Sequence, residues 1–271
     1  VRLPALLLTL LGCKLPELPD VDLRAPALQA AREDAELRWA PIHLDGSGVD
    51  AIIGRPAALG LIDAGKRPLP DALEEAVALR QWSTTFNAQA MIGGGPHTGQ
   101  ARGATWRGGK QLDPPEPGSE QLWTLDVEQG TPQKMKVYRG NPKGDATRRL
   151  FALGGLEALA VDGDPEVSPS LARDVTTYGA TERGVGRTYL GIDRNRGVIA
   201  IVVVEHGAPG PRLTELPDAL RDAGFEDVLV LDGGTSSTLV HARNGIQHVE
   251  ARGIHQATAP TRYGIGVRWA Q

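Results

Sequence analysis

The sequence predicts an α+β fold, a mixed and largely antiparallel sheet with a few helices packed on it in a single domain, and three observations lead there. Two apolar runs, Arg187–Asp193 and Val198–Val204, flank the tight-turn residues 194–197, the pattern of an antiparallel hairpin. Leu213–Ala223 has helical spacing and stops at Gly224, with Pro217 limiting where that helix can begin. Asp227–Leu231 is then an almost wholly apolar run, which suits a strand buried on both faces. Composition agrees, since 34 glycines and 20 prolines with 4% aromatic residues describe many turns rather than a helical bundle. At 271 residues and 41% hydrophobic content, one large domain can bury a substantial core.

The remaining elements follow in chain order. An apolar run from Leu3 to Gly12 ends at Cys13, the sole cysteine. Such a run is too short for a bilayer span, which needs about 20 apolar residues, but it suits the core of a secretory signal. Leu10-Leu11-Gly12-Cys13 resembles the bacterial lipobox, in which a small residue precedes the cysteine that receives lipid. The expectation is a signal and lipobox over 1–13, lipidation of Cys13, membrane attachment through that lipid, and a place in the bacterial cell envelope, periplasmic or on the outer surface. The alternative is an N-terminal helix with a buried cysteine. Residues 14–36 read as a tether, with a helix-compatible stretch from Ala25 to Leu37, and 37–271 as the domain. Within the domain, Trp39–Asp45 looks like an opening strand, Asp71–Arg80 has helical spacing, and Trp82–Asn87 is β-rich. Gly93–Gly109 is too long and glycine-dense for a hairpin turn and reads as a functional loop. Leu122–Val127 and Met135–Tyr138 read as strands, and Ala152–Val161 as a strand closing in a turn at Asp162-Gly163.

The chemistry-bearing residues cluster late in the chain. Asp232 ends the buried run and is followed by Gly233, Gly234, Thr235, Ser236, Ser237 and Thr238. Glycines there allow a sharp turn and close approach, while successive N–H groups and hydroxyls can hold an anion such as phosphate. The alternative is an Asp-Gly-Gly turn whose hydroxyls satisfy local backbone. Arg187, at the start of its strand, offers a fork for phosphate oxygens, and Asn87 a hydrogen bond to a sugar. Glu182, Glu205 and His206 are further acid/base candidates. The six histidines have no zinc spacing, no P-loop is present, and the net charge of −4 carries no long single-sign run, so neither a histidine-built metal site nor a nucleic-acid partner is expected.

Gly186–Asp193, followed by the apolar strand, the Leu213–Gly224 helix and Leu231–Leu239, resembles the phosphodiester glycosidase family, which includes the enzyme that uncovers mannose 6-phosphate on lysosomal hydrolases. Some bacterial members carry labels mentioning exopolysaccharide biosynthesis. The family's R-T-x-x-G-[IV] strand and, some forty residues on, its N-L-D-G-G-G-S-S-T turn are matched in order and spacing. Weaker echoes are Thr84–Ala88 with Gly95–Gly99, Leu153–Gly163, and Thr261–Val267. The resemblance implies hydrolysis of a sugar-1-phosphodiester or related glycosidic bond, with a carbohydrate or sugar-phosphate substrate. It implies Asp232, Arg187 and Asn87 as catalytic residues and Gly233, Gly234, Thr235, Ser236, Ser237 and Thr188 as substrate-binding ones. No cofactor is expected, and a divalent cation is left open. This sequence departs from the family at Thr235, where a third glycine is usual, at Val230, where asparagine is usual, and around Asn87, where Gln89 and Met91 replace an aromatic pair. Two other readings stand beside this one: a non-catalytic glycan-binding envelope lipoprotein, and a metal-assisted phosphodiesterase using Asp232 with Asp193 or Asp162.

Overall fold

The computed structural model describes residues 25–34, 40–44, 49–63, 90–94, 102–130, 133–144, 146–169, 171–172, 186–204, 214–233, 239–243, 246–251 and 263–270. Helix α1 (Ala25–Asp34) precedes the antiparallel pair β1 (Ala40–Leu44) and β2 (Val49–Gly54). After Arg55 the chain enters a second sheet as β3 (Pro56–Asp63), joined there by β4 (Ala90–Gly94). It returns to the first sheet for β5 (Thr105–Arg107), β6 (Lys110–Asp113), β7 (Trp123–Glu128), β8 (Lys134–Arg139), β9 (Arg149–Val161) and the two-residue β10 (Asp164–Pro165). Strands β11 (Arg187–Asp193) and β12 (Val198–Val204), helix α2 (Glu215–Asp222) and β13 (Asp227–Gly233) complete that half. Strands β14 (Leu239–Arg243), β15 (Ile246–Ala251) and β16 (Tyr263–Trp269) complete the second sheet.

The first sheet has the order β1-β2-β12-β11-β13-β9-β5-β6, with β7 paired to β9 and β8 to β7; the second has the order β15-β14-β4-β16-β3. Every pairing among the described strands is antiparallel. Alternation along the strands sorts side chains into two clusters. Leu125, Val127, Leu153, Leu156, Leu190, Ile192, Leu229 and Leu231 of the first sheet meet Leu59, Leu61, Tyr263, Ile265 and Val267 of the second. On the outer face, Tyr189, Val202, Val228 and Val230 lie under Leu28 of α1 and Leu216 and Leu220 of α2. The layers are therefore helices, sheet, sheet.

This corrects the expected α+β class. The fold is a β-sandwich, and among the described residues two short helices cover part of one face. Helical spacing identifies α2 correctly, but local periodicity carries no information on how many strands surround a helix. The end of α2 shows why its boundary is readable. Gly224 takes φ +93°, its N–H bonds Arg221 O at 2.8 Å, and the Phe225 N–H bonds Leu220 O at 3.1 Å, a Schellman termination that needs a residue tolerant of positive φ. Arg32 of α1 donates to the Gly224 carbonyl at 2.5 Å and lies 3.5 Å from Asp193, tying α1 to the sheet. This helix occupies the latter part of the segment that reads as a tether, and Leu28 is fully buried. The signal segment with Cys13 and the helix expected at 71–80 lie outside the described residues.

Candidate active site

Strand β9 changes neighbours halfway. Its Phe151–Leu153 pair with β5 and its Glu157–Ala160 with β13, leaving Gly154–Leu156 between the two partners. The backbone of Gly103 crosses at that point, so closely that a Cβ there would sit 2.1 Å from the Gly155 amide nitrogen, and Gly155 itself has φ +79°. Glycine is required on both sides of the crossing.

Glu157 begins the β9–β13 pairing, opposite Val230. It is buried, accepts a hydrogen bond from Ser168 Oγ, and lies 3.9 Å from the guanidinium of Arg102, whose side chain is 46% exposed. Two residues beyond Val230 stands Asp232, and the next residue, Gly233, pairs with Arg187 at the start of β11. The register shifts there: Arg187 faces Gly233 and Tyr189 faces Val230, so Leu231 and Asp232 together oppose Thr188. Such a bulge interrupts the ladder and re-aims side chains.

The faces can be read from alternation. Glu157 lies between Leu156 and Ala158, both in the inter-sheet core, so it points to the helix side. Arg187 shares its face with Tyr189 of the helix-side cluster. Burial pushes the Tyr189 hydroxyl's ionisation upward while the nearby Arg187 guanidinium pulls it the other way. Arg187 is half-buried and its Nη1 donates to the Gly186 carbonyl at 2.9 Å. Arg187 and Glu157 thus share one face of the sheet, on the two strands that flank β13, with Arg102 beside Glu157.

The sequence-derived site residues fare differently. Arg187, Asp232 and Gly233 are brought to adjacent strand ends. Thr188 points into the inter-sheet core, fully buried, and its Oγ1 finds no hydrogen-bond partner among the described residues. Gly234, Thr235, Ser236, Ser237, Asn87, Glu182, Glu205 and His206 lie outside the described residues. The strand after Asn87, β4, sets Ile92 against Leu239, the first residue of β14, whereas Ala90, nearer Asn87, pairs with His241. The proposed metal partners of Asp232 are elsewhere. Asp193 ends β11, where it accepts from the Arg196 N–H at 2.9 Å, and Asp162 follows β9, paired with Arg194. With Ile192 opposite Asp227, both belong to the far end of the sheet, five residues of β13 or roughly 17 Å from Asp232.

Arg102, Glu157 and Ser168 are the residues that sequence reasoning missed. Arg102 lies inside the Gly93–Gly109 segment, which reads as a loop but carries the end of β4 and all of β5, and Glu157 inside the Leu153–Gly163 element; their meeting depends on which strand flanks β9.

The comparisons with known proteins bear on this geometry. The sequence matches the phosphodiester glycosidase family (NAGPA) over residues 86–268, so the chain belongs to that family, hydrolases acting on phosphodiester glycosidic bonds. No curated protein matches it. Among solved structures it is similar to the catalytic domain of zebrafish N-acetylglucosamine-1-phosphodiester alpha-N-acetylglucosaminidase auto-inhibited by its pro-peptide, with 17% identity, a TM-score of 0.56, and 86% of this chain and 82% of that one covered. It is also similar to a hypothetical protein from Synechocystis (14%, TM-score 0.50), covering 85% of this chain but only 61% of the other. A third likeness is to a protein of Burkholderia pseudomallei K96243 described as exported (13%, TM-score 0.51, 81% and 73% covered). At these identities the structural likenesses establish the fold.

Proposed function

We propose that this chain hydrolyses a sugar-1-phosphodiester, or a related glycosidic bond, in envelope or exopolysaccharide metabolism. The observation that supports the reading is the pairing of Arg187 with Gly233, which puts an arginine on the strand beside the one whose end bears Asp232. In the reaction, water adds to the anomeric carbon, the bond from that carbon to the phosphate oxygen breaks, and the phosphate monoester leaves. Asp232 takes the water's proton or supports the oxocarbenium-like sugar. Arg187 neutralises the phosphate as charge builds on it. Arg102, held by Glu157, supplies a second positive group, and Glu157 acts as its positioning residue. The turn from Gly233 to Ser237 cradles the phosphate and Asn87 orients the sugar. A phosphate monoester is a good leaving group, so the step needs little protonation of the departing oxygen.

The test is a screen of the full chain against sugar-1-phosphodiesters, following both reducing sugar and phosphate monoester. Release of both in equal amounts by the wild type, lost in Asp232→Asn, is the expected result; a wild type that releases neither refutes the reading. Thr235 and Val230, where the family carries glycine and asparagine, favour a second reading in which the site binds glycan without cleaving it. Saturable binding of the same compounds without release would establish that one. Attachment through Cys13 belongs to the proposal too, and is checked by mass spectrometry for a lipidated Cys13 at the mature N-terminus.

A further inference from the structure

On the face of the first sheet that carries Glu157, the β7–β8 ribbon and the chain entering β9 enclose a cavity of about 510 Å³ lined by Lys136, Arg139, Lys143, Arg148 and Arg149 with Asp126, Glu128, Tyr138 and Gly144. Four of these cations, Lys136, Lys143, Arg148 and Arg149, stand with two carboxylates there, while Arg139 lies opposite Trp123, a concentrated positive island in a chain whose net charge is −4. Its floor is fixed. Arg149 grips Asp126 through Nε and Nη2 at 3.0 and 2.9 Å, both side chains are buried, and the Tyr138 hydroxyl donates to the same carboxylate at 2.8 Å. Lys136 is held by Glu128, and Arg139, stacked over Trp123, pairs with Glu166 at 3.0 Å. Lys143 and Arg148, both exposed, have no ion pair among the described residues, and they stand on either side of the segment that enters β9. The surplus positive charge therefore sits at the rim, over a rigid, internally neutralised floor.

The cavity lies on the same face as the candidate active site but toward the start of β9, where Glu128 pairs with Arg149, eight residues or roughly 26 Å along the strand from Glu157. Asp126 alternates with Leu125 and Val127 of the inter-sheet core, as Glu157 does with Leu156 and Ala158, so both point to the same side of the sheet. Arg139 pairs with Trp123, and Trp123 pairs with Leu156, the residue before Glu157. One short segment connects the two places: Glu166 binds Arg139 and Ser168 binds Glu157. The volume lies in the range of small-ligand pockets and admits a sugar phosphate rather than a lone ion.

We infer that this groove binds a phosphate-bearing unit of an anionic glycan, with Lys143 and Arg148 as its principal contacts, and that the unit belongs to the same chain whose phosphodiester is presented to Arg187. The second half of this statement rests on the hydrolase reading. It explains how a protein with no overall positive charge holds a polyanionic chain: the attraction is confined to one groove and falls as salt rises.

The test uses the full chain, a synthetic trimer of α-glucosyl phosphates joined through phosphodiesters, and the corresponding single methyl diester, with binding measured by calorimetry at low and physiological salt. The Lys143→Ala/Arg148→Ala variant is expected to bind the trimer at least tenfold more weakly and the single diester as the wild type does, with an unchanged melting temperature. Lys143→Arg should retain trimer binding. Where the trimer is turned over, the double variant should raise KM for it and leave kcat alone. Equal trimer affinity in wild type and double variant overturns the groove. Weakened trimer binding in a protein that cleaves neither compound upholds the groove and overturns the hydrolase reading instead.

Discussion

The two ends of the central strands carry the same residue types arranged to opposite effect. At the far end, Arg194 lies within 3.5 Å of Asp162, Glu226 and Asp227, and the Glu226 carboxylate also receives Asn195 and the Arg194 N–H. The chain there turns straight back through the β9–β10 and β11–β12 turns, so carboxylates and arginine close on one another. At the near end the strands part: β13 gives way on β9 to β5, and the chain beyond Gly233 resumes in the other sheet. Arg102 is left 46% exposed beside Glu157. A carboxylate at a strand end is thus a structural staple where its strand turns back, and on the proposed reading a reactive group where its strand departs.

Five substitutions break or sharpen that contrast. The largest effect is expected at the near end, where Asp232→Asn should lower turnover of a sugar-1-phosphodiester by about a thousandfold or more without unfolding the protein. Asp193→Asn at the far end should leave kcat intact, and comparable losses of kcat in both would erase the distinction. Next, Gly155→Ala places a methyl group 2.4 Å from the Gly103 nitrogen at φ +79°, and should cost more than about 3 kcal/mol in chemical denaturation.

The third effect is a pH dependence. Burial, as the leading cause, pushes the Asp227 carboxyl from its usual 3.8 up to about 6. The folded state therefore holds this proton more tightly than the unfolded one, and the associated stability is present below pH 3.8 and lost as pH rises through 6. Asp227→Asn keeps an acceptor for the Asp162 N–H and cannot ionise. Denaturation curves at pH 4 and 7 should show wild-type stability falling relative to the variant by at most about 3 kcal/mol. A constant difference would place the titration elsewhere. The smallest effect is expected for Thr188→Val, which replaces a buried hydroxyl, without a hydrogen-bond partner among the described residues, by a methyl group. Stability should stay within about 1 kcal/mol and KM should not change; a raised KM would return Thr188 to the substrate.

How much of this is legible in the sequence depends on the range of the contact. The 187–204 hairpin, β13 and β9 can be read because apolar runs are bounded by Asn, Asp and Gly turn residues. Arg187 and Asp232 follow because each marks the end of such a run, and the resemblance gives them a joint purpose. Their common end of the sheet requires β11 and β13 to be antiparallel neighbours, which no local pattern states. Arg102 and Glu157 meet only because Gly103 crosses Gly155, and the second sheet is hidden because β3, β4, β14 and β16 are widely separated along the chain. The basic groove leaves a trace, six lysines and arginines against one aspartate between Lys134 and Arg149, but which of them converge is decided only when β7, β8 and β9 align.

The position of β16 between β3 and β4 constrains how the molecule is made. Tyr263 pairs with Asp63, which was synthesised 200 residues earlier, and the same strand supplies the other edge for β4. Among the described strands none but this late segment joins β3 to β4, and until it emerges the apolar side of the first sheet lacks that part of its cover. Assembly is therefore gated by the arrival of Tyr263–Trp269, and contacts of such long range predict slow folding with a period of exposure to self-association.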